Sequence, residues 1–398
     1  MNDLSNRIRN LSESATIAMA VKARELKSQG VDVISLSLGE PDFKTPDHIR
    51  EAAKQAIDDG SYFSYPPVPG YMDLREAIAQ KFSKENNLES TPANIVVSSG
   101  AKQSIANVML SLLNPGDEAL MLSPYWVSYS EIIKLADATP VPVKGELSND
   151  FKATAGQIEQ AITGKTKILI FSSPCNPTGS VFNKQELEDI AGVMAKNTQI
   201  YIISDEIYEH INFAGEHISI GSLPGMQDRT ITVNGVSKSF AMTGWRIGFI
   251  HAPEWIAKAC IKMQGQFTSG ACSIAQRAAL AAITGDLGPT RAMACEYLER
   301  REMVYNLLKE IPGVKSNMPD GAFYFFPDIS DYFGKSDGEM RINNASDMSM
   351  YLLEKAKVSV VTGEAFGSPE CIRLSYAASR EDLKEALKRI KEALAKLS

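Results

Sequence analysis

The chain has 398 residues, 44% hydrophobic and 22% charged, the make-up of an ordinary globular protein long enough for two domains, or one large and one small. Its 41 basic and 48 acidic side chains leave a net charge of −7, which argues against broad binding to nucleic acid or to anionic membranes. Five scattered cysteines without a C-x-x-C pair, four histidines that form no cluster in sequence, and an N-terminus without an apolar signal core point to a cytoplasmic protein with reduced thiols and no metal centre.

In chain order, Ile17, Ala20, Val21 and Leu26 among Lys22, Arg24 and Lys27 predict an amphipathic helix ending at Gly30, an arm that packs on another domain or subunit. Residues 31–38 alternate toward a strand, which Gly39-Glu40-Pro41-Asp42 breaks; a glycine there either admits a ligand to the backbone or makes a plain turn. A Pro-rich loop from Tyr62, carrying Tyr65, runs into a helix whose Leu74, Ala77, Ile78 and Phe82 share a face.

Short apolar runs at 95–98, 118–122, 167–171 and 199–203 read as strands, with helical patterns between them. The first ends at Ser99-Gly100-Ala101-Lys102, where a helix begins whose free N–H groups suit an anion. The second ends at Ser123-Pro124-Tyr125-Trp126, and Trp126 either stacks on a flat ring or caps the core. The third enters SSPCNPTGS, and the fourth delivers Ser204-Asp205-Glu206-Ile207-Tyr208. Such alternation indicates a mostly parallel sheet covered on both faces, where ligands gather at the carboxyl ends of the strands. Ser99, Trp126, Asn176, Asp205 and Lys238 all fall just past such ends.

The stretch TITVNGVSKSFAMTGWRIGFI, residues 230–250, holds Lys238 and Arg246 between two apolar runs. Loss of hydration lowers a lysine's pKa and frees the amine that attacks an aldehyde, while an arginine fork suits phosphate. An amine for a Schiff base beside a phosphate clamp suggests pyridoxal phosphate.

Beyond 250 the pattern turns helical, at 274–283 and 294–310. It then mixes strands at 321–326, 358–361 and 371–376 with a helix at 381–397, a smaller α+β unit in which the loop 330–346 reads as a flexible insertion. No G-x-G-x-x-G follows an early strand, which argues against a nicotinamide enzyme.

The motifs SPCNPTG, SDEIYEH, NGVSKSFAMTGWRIG and CIRLSYA, in this order, resemble those of the class I aminotransferases of pyridoxal-phosphate fold type I, over essentially the whole chain from about Ser14. SATIAMAVKARELKSQGVD, SLGEPDF, SSGAKQS and SPYWVSY are similar to the bacterial-type aspartate aminotransferase subgroup, which also includes prephenate aminotransferases. The resemblance implies an α/β fold: a large domain at 46–284 with a mostly parallel seven-stranded sheet between helices, and a smaller α+β domain at 285–398 joined by an N-terminal arm at 1–45.

It further implies that Lys238 holds pyridoxal phosphate and shuttles the substrate proton, and that Asp205 pairs with the pyridine nitrogen. Asn176 and Tyr208 would bond the ring oxygen and Trp126 would stack on the ring. Arg246, Ser237 and the Gly100-Ala101-Lys102 turn would hold the phosphate, with Tyr65 reaching in from the second subunit of a homodimer. Where some relatives carry a phosphate-binding serine, this chain has Gly235. Arg373 would clamp the substrate α-carboxylate beside Gly39, with Trp126 and Asn176 also lining the substrate. No arginine occurs from 264 to 276 to meet a distal carboxylate, so Lys102 with Thr16 is expected to do so. Aspartate and glutamate with 2-oxo acids are therefore the expected substrates, and prephenate stays open as a further acceptor. An aromatic or alanine aminotransferase, or a lyase, would share the cofactor residues and differ in the distal pocket. A ligand-sensing regulator of this fold would need a DNA-binding helix-turn-helix, for which the residues before Ser14 are too few.

Overall fold

A computed structural model describes residues 4–398. Its strands, in chain order, are β1 (Ile34–Ser35), β2 (Ile95–Ser98), β3 (Glu118–Ser123), β4 (Thr139–Lys144), β5 (Thr166–Ser172), β6 (Tyr201–Asp205), β7 (Thr230–Gly235), β8 (Gly248–His251), β9 (Tyr324–Phe325), β10 (Val358–Ser359), β11 (Val361–Thr362) and β12 (Ile372–Ser375). Seven of them form one sheet in the order β2-β8-β7-β6-β5-β3-β4, in which β8 alone runs antiparallel to its neighbours.

The apolar runs are explained by burial on both faces. In β5, Ile168 and Ile170 join one core with Ile105, Val108 and Ile256 of the helices Ala101–Leu112 and Glu254–Phe267. Leu169 and Phe171 point the other way, into a core with Ile158, Leu187 and Ile190 of the helices Ala155–Ala161 and Lys184–Lys196. A strand with two buried faces has no solvent side to carry polar residues, so it reads as a continuous apolar run.

Edge strand β4 is not anticipated by the sequence pattern, and its residues TPVPVK show why. Pro140 and Pro142 donate no ladder hydrogen bond, which a strand tolerates where one side has no neighbour.

The other strands make two small sheets. β1 pairs parallel with β10, tying the segment near residue 34 to the C-terminal part, and β11-β12-β9 form an antiparallel sheet. The run 358–361, expected as one strand, is therefore two: Val358–Ser359 pairs with β1 and Val361–Thr362 with β12, so the chain changes sheets at Val360. The 330–346 loop is also more tightly held than an insertion requires. Tyr332 and Ile342 are buried in the C-terminal core, and Ser336 exchanges backbone hydrogen bonds with Ser398. Among the described residues no helix is long and apolar enough to cross a membrane.

Candidate active site

The carboxyl ends of β3, β5, β6 and β7 open on a cavity of about 490 Å³. It is lined by Asp205 at the end of β6, by Trp126, Asn176, Tyr208, Ser237 and Lys238 from the loops after those strands, by Ala101, Lys102 and Arg246, and by Thr16, Gly39 and Arg373 from the two ends of the chain.

Lys238 lies three residues past β7, and its Nζ donates to the Gly39 carbonyl. Burial pulls its ammonium down to about 8, against the attraction of Glu40 and with help from Arg373 and Arg246. Roughly a tenth of the amine is then free at neutral pH, against well under a hundredth for an ordinary lysine.

Asp205 closes β6. Burial pushes its carboxyl up to about 6; it is held from rising further by Tyr129, whose Oη donates to Oδ2 at 2.7 Å, and by the Ile207 N–H on Oδ1 at 3.3 Å. Tyr129 lies outside the set expected from sequence. It stands three residues after Trp126 in SPYWVSY, one helical turn on, and their rings meet edge to face at 5.5 Å.

Arg373 enters from β12, fully buried. Its Nη1 donates to Asn176 Oδ1 at 3.0 Å and its Nη2 to the Ser37 carbonyl at 2.6 Å, while its plane rests on Tyr324 and Phe366. Its Nε has no partner, and among the described residues no carboxylate pairs with it. A buried guanidinium without a counter-charge is costly, and a carboxylate ligand would relieve that cost.

Tyr324, also absent from the expected set, joins the two halves of the site. Its hydroxyl meets that of Tyr208 at 2.7 Å, and it stands where a Cβ at position 39 would go, so the glycine at 39 is required by this tyrosine.

At the other end of the cavity the helix Ala101–Leu112 starts from Gly100, whose φ of 89° suits glycine. The Arg246 guanidinium occupies the space a Cβ at Gly100 would need and bonds the Thr243 and Ser99 carbonyls. Free helix N–H groups, Arg246 and Ser237 together make an anion cradle. Gly235 belongs to packing: a Cβ there would lie 2.9 Å from the Ile247 carbonyl, so a serine has no room.

Lys102 Nζ lies 5.1 Å over the Trp126 ring, and burial, then the charge of Arg246, lower its pKa. Thr16 Oγ1 is buried without a partner in the same cavity. Of the expected residues, Ser99, Gly100 and Tyr65 do not line it: Ser99 and Gly100 lie just behind Ala101 against Arg246, whereas Tyr65 is 95% exposed, near Phe63 in sequence, which is itself exposed. Two of the four histidines, unclustered in sequence, sit among carboxylates in space: His210 with Glu85 and Glu209, and His217 with Glu206 and Glu209.

The sequence profile described as "Aminotransferase class I and II" matches residues 31–390. The chain is 49% identical over 398 aligned residues to the bifunctional aspartate aminotransferase and glutamate/aspartate-prephenate aminotransferase of Petunia hybrida, covering 98% of this chain and 82% of that protein. It is 44% identical to the aspartate/prephenate aminotransferase of Cereibacter sphaeroides, with 99% of each covered. Among solved structures, the aspartate aminotransferase of Rhizobium meliloti superposes with a TM-score of 0.96 at 38% identity over 100% of both chains. That of Thermus thermophilus with maleate superposes with a TM-score of 0.92 at 41% identity, over 99% of this chain and 100% of that one.

Proposed function

The chain belongs to the class I and II aminotransferases, and we propose that it moves an amino group between aspartate or glutamate and 2-oxo acids, with prephenate as a further acceptor, using pyridoxal phosphate. The observation that carries this is the meeting, in one cavity, of a half-buried amine with lowered pKa, a buried carboxylate and a buried guanidinium that no carboxylate neutralises.

These residues fit the cofactor. Lys238 would hold it, the Arg246–Gly100–Ala101–Lys102 cradle with Ser237 would take its phosphate, and Trp126 would cover its ring, with Asn176 and Tyr208 on the ring oxygen. When bound, pyridoxal phosphate supplies an aldehyde that captures amines and a ring that accepts the electron pair left at Cα.

The protein's share is positioning and proton management. Arg373 grips the α-carboxylate with its fork and so fixes the direction of the Cα–H bond. Lys238 Nζ, with a pKa near 8, takes the proton from Cα and can give it back. Asp205, steadied by Tyr129, keeps a proton on the pyridine nitrogen. Lys102, whose Nζ has the Trp126 ring beside it and no carboxylate, and Thr16, whose Oγ1 has no partner, meet the distal carboxylate, and a lysine on a flexible stem can follow carboxylates at different distances. This pair favours acidic substrates over the aromatic, alanine or lyase readings.

Tyr65, turned away from its own cavity, would serve the phosphate of a second copy in a homodimer. The division into an arm with part of the small domain at 1–45, a large domain at 46–284 and a small domain at 285–398 lets closure bring Arg373 onto the substrate. The test is a panel of amino donors against oxaloacetate, 2-oxoglutarate and prephenate. Aspartate and glutamate should be the preferred donors, and preference for a monocarboxylic or aromatic donor would overturn the substrate reading.

A further inference from the structure

Next to the cavity, but lining none of it, is a second group of charges, with Lys81, Glu206 and Glu209 buried and Glu85, His210 and His217 half-buried. Lys81 and Glu85 come from the helix Met72–Glu85, Asn86 caps it, Glu206, Glu209 and His210 follow β6, and His217 and Ser219 lie on the way to β7.

Glu206 is its most heavily bonded member. Its Oε1 accepts from Ser204 Oγ at 2.8 Å and Ser219 Oγ at 2.7 Å. Its Oε2 accepts from Asn86 Nδ2 at 3.0 Å and lies 2.8 Å from His217 Nε2. Asn86 also reaches Glu209, which forms an ion pair with Lys81, and His210 meets Glu85 at 3.0 Å. Two carboxylate–imidazole triads here have the spacing of metal ligands. The Lys81 ammonium already sits among them, so the cluster has its own cation.

The cluster touches the active site through the backbone. Glu206 N donates to the Val233 carbonyl of β7, and the next N–H, that of Ile207, holds Asp205. Residues 205, 207 and 208 face the cavity while 206 and 209 do not, so the anchors of Glu206 fix the peptide that presents Asp205 and Tyr208.

Charge matters as well as place. The negative charge of Glu206 disfavours ionisation of its neighbour Asp205. Burial drives the His217 proton off, but Glu206 reverses this and holds it on. The other groups facing the pair are Lys81, Glu85, Glu209 and His210, together with His251, which burial keeps toward the neutral form. With three glutamates against Lys81, the cluster reaches neutrality only when both imidazoles carry protons.

We propose that Glu206 and His217 are positioning residues for amino transfer: together they anchor the strand-end peptide that presents Asp205, and His217 screens Asp205 from the charge of Glu206. This rests on the reading of Asp205 as the partner of the cofactor's ring nitrogen.

The experiment uses the holoenzyme. His217→Gln should leave Glu206 unscreened, move the acid limb of the kcat profile up by about one pH unit and weaken pyridoxal phosphate binding, read by equilibrium titration of the near-visible band, by about tenfold. KM for dicarboxylates should change little. Glu206→Gln/His217→Gln, with both charges gone, should return the limb and the affinity toward wild type, whereas a packing defect would deepen in the double variant. Should His217→Gln not fold, Glu206→Gln alone should move the acid limb to lower pH. An unmoved limb in the folded variants, or a double variant as displaced as the single, overturns the proposal. A wild-type protein that forms no near-visible band overturns the cofactor reading and this proposal with it.

Discussion

Asp205 and Glu206 are adjacent in the chain, yet they belong to two charged regions built on opposite plans. On the cavity side, the buried Arg373, the half-buried Lys238 and the more exposed Lys102 are cations that, among the described residues, no carboxylate contacts in an ion pair, and Arg373 Nε and Thr16 Oγ1 have no hydrogen-bond partner. On the other side, Glu206, Glu209 and Lys81 are buried with partners on every charged end. One region carries a desolvation cost that a ligand can relieve; in the other, the buried charges are satisfied by the protein itself. Function and stability are thus separated by a single peptide bond.

The contrast is broken most severely at Lys238. Lys238→Ala should reduce amino transfer by about 10⁴-fold or more, while thermal melting of the protein without cofactor holds or rises, because a partly desolvated ammonium has been removed. Lys81→Met should do the reverse. Taking the ammonium from buried Glu209, which keeps only Asn86 and the histidines beside it, is expected to lower stability by about 3–5 kcal/mol in denaturant melts, and a loss under 1 kcal/mol would count against a self-contained network. Arg373→Ala should lower kcat/KM by about 10²-fold or more through loss of substrate orientation, with no comparable loss of stability.

Lys102→Ala should cost dicarboxylic donors about tenfold or more in kcat/KM and leave monocarboxylic donors unaffected. An equal loss for both would remove Lys102 from the distal site.

The gentlest test is pH. Glu209, which burial alone would raise, is drawn down to about 2 by Lys81 and the two histidines. Its folded pKa lies below the ordinary 4.5, so its contribution is present above that value and is lost as pH falls toward 2. Asp205 runs the other way: its folded value near 6 exceeds the ordinary 3.8, so stability falls as pH rises between them. Each should give a slope of at most about 1.4 kcal/mol per pH unit, abolished in Glu209→Gln and Asp205→Asn respectively.

The parts of this arrangement that were legible in sequence are those with local signals. Strands buried on both faces read as apolar runs, and the residues just past their ends, Trp126, Asn176, Asp205 and Lys238, are where the structure places the cavity. Edge strand β4 escapes because Pro140 and Pro142 look like breakers until its open side is known. Tyr129 and Tyr324 escape because a tyrosine in an apolar stretch looks like core, and both are buried; only their hydroxyl partners, Asp205 and Tyr208, give them away. The charge cluster is illegible for a different reason. Asn86 and Glu206 lie 120 residues apart, and His217 is brought to Glu206 by a loop without periodicity.

The central claim is that position 238 offers a free amine beside the carboxylate at 205. Incubation with pyridoxal phosphate, reduction with borohydride and peptide mass mapping test it most directly. A near-visible band that reduction abolishes, with the label on Lys238 alone, is the expected result. The absence of a band, or a label on Lys102 or a surface lysine in place of Lys238, would contradict it.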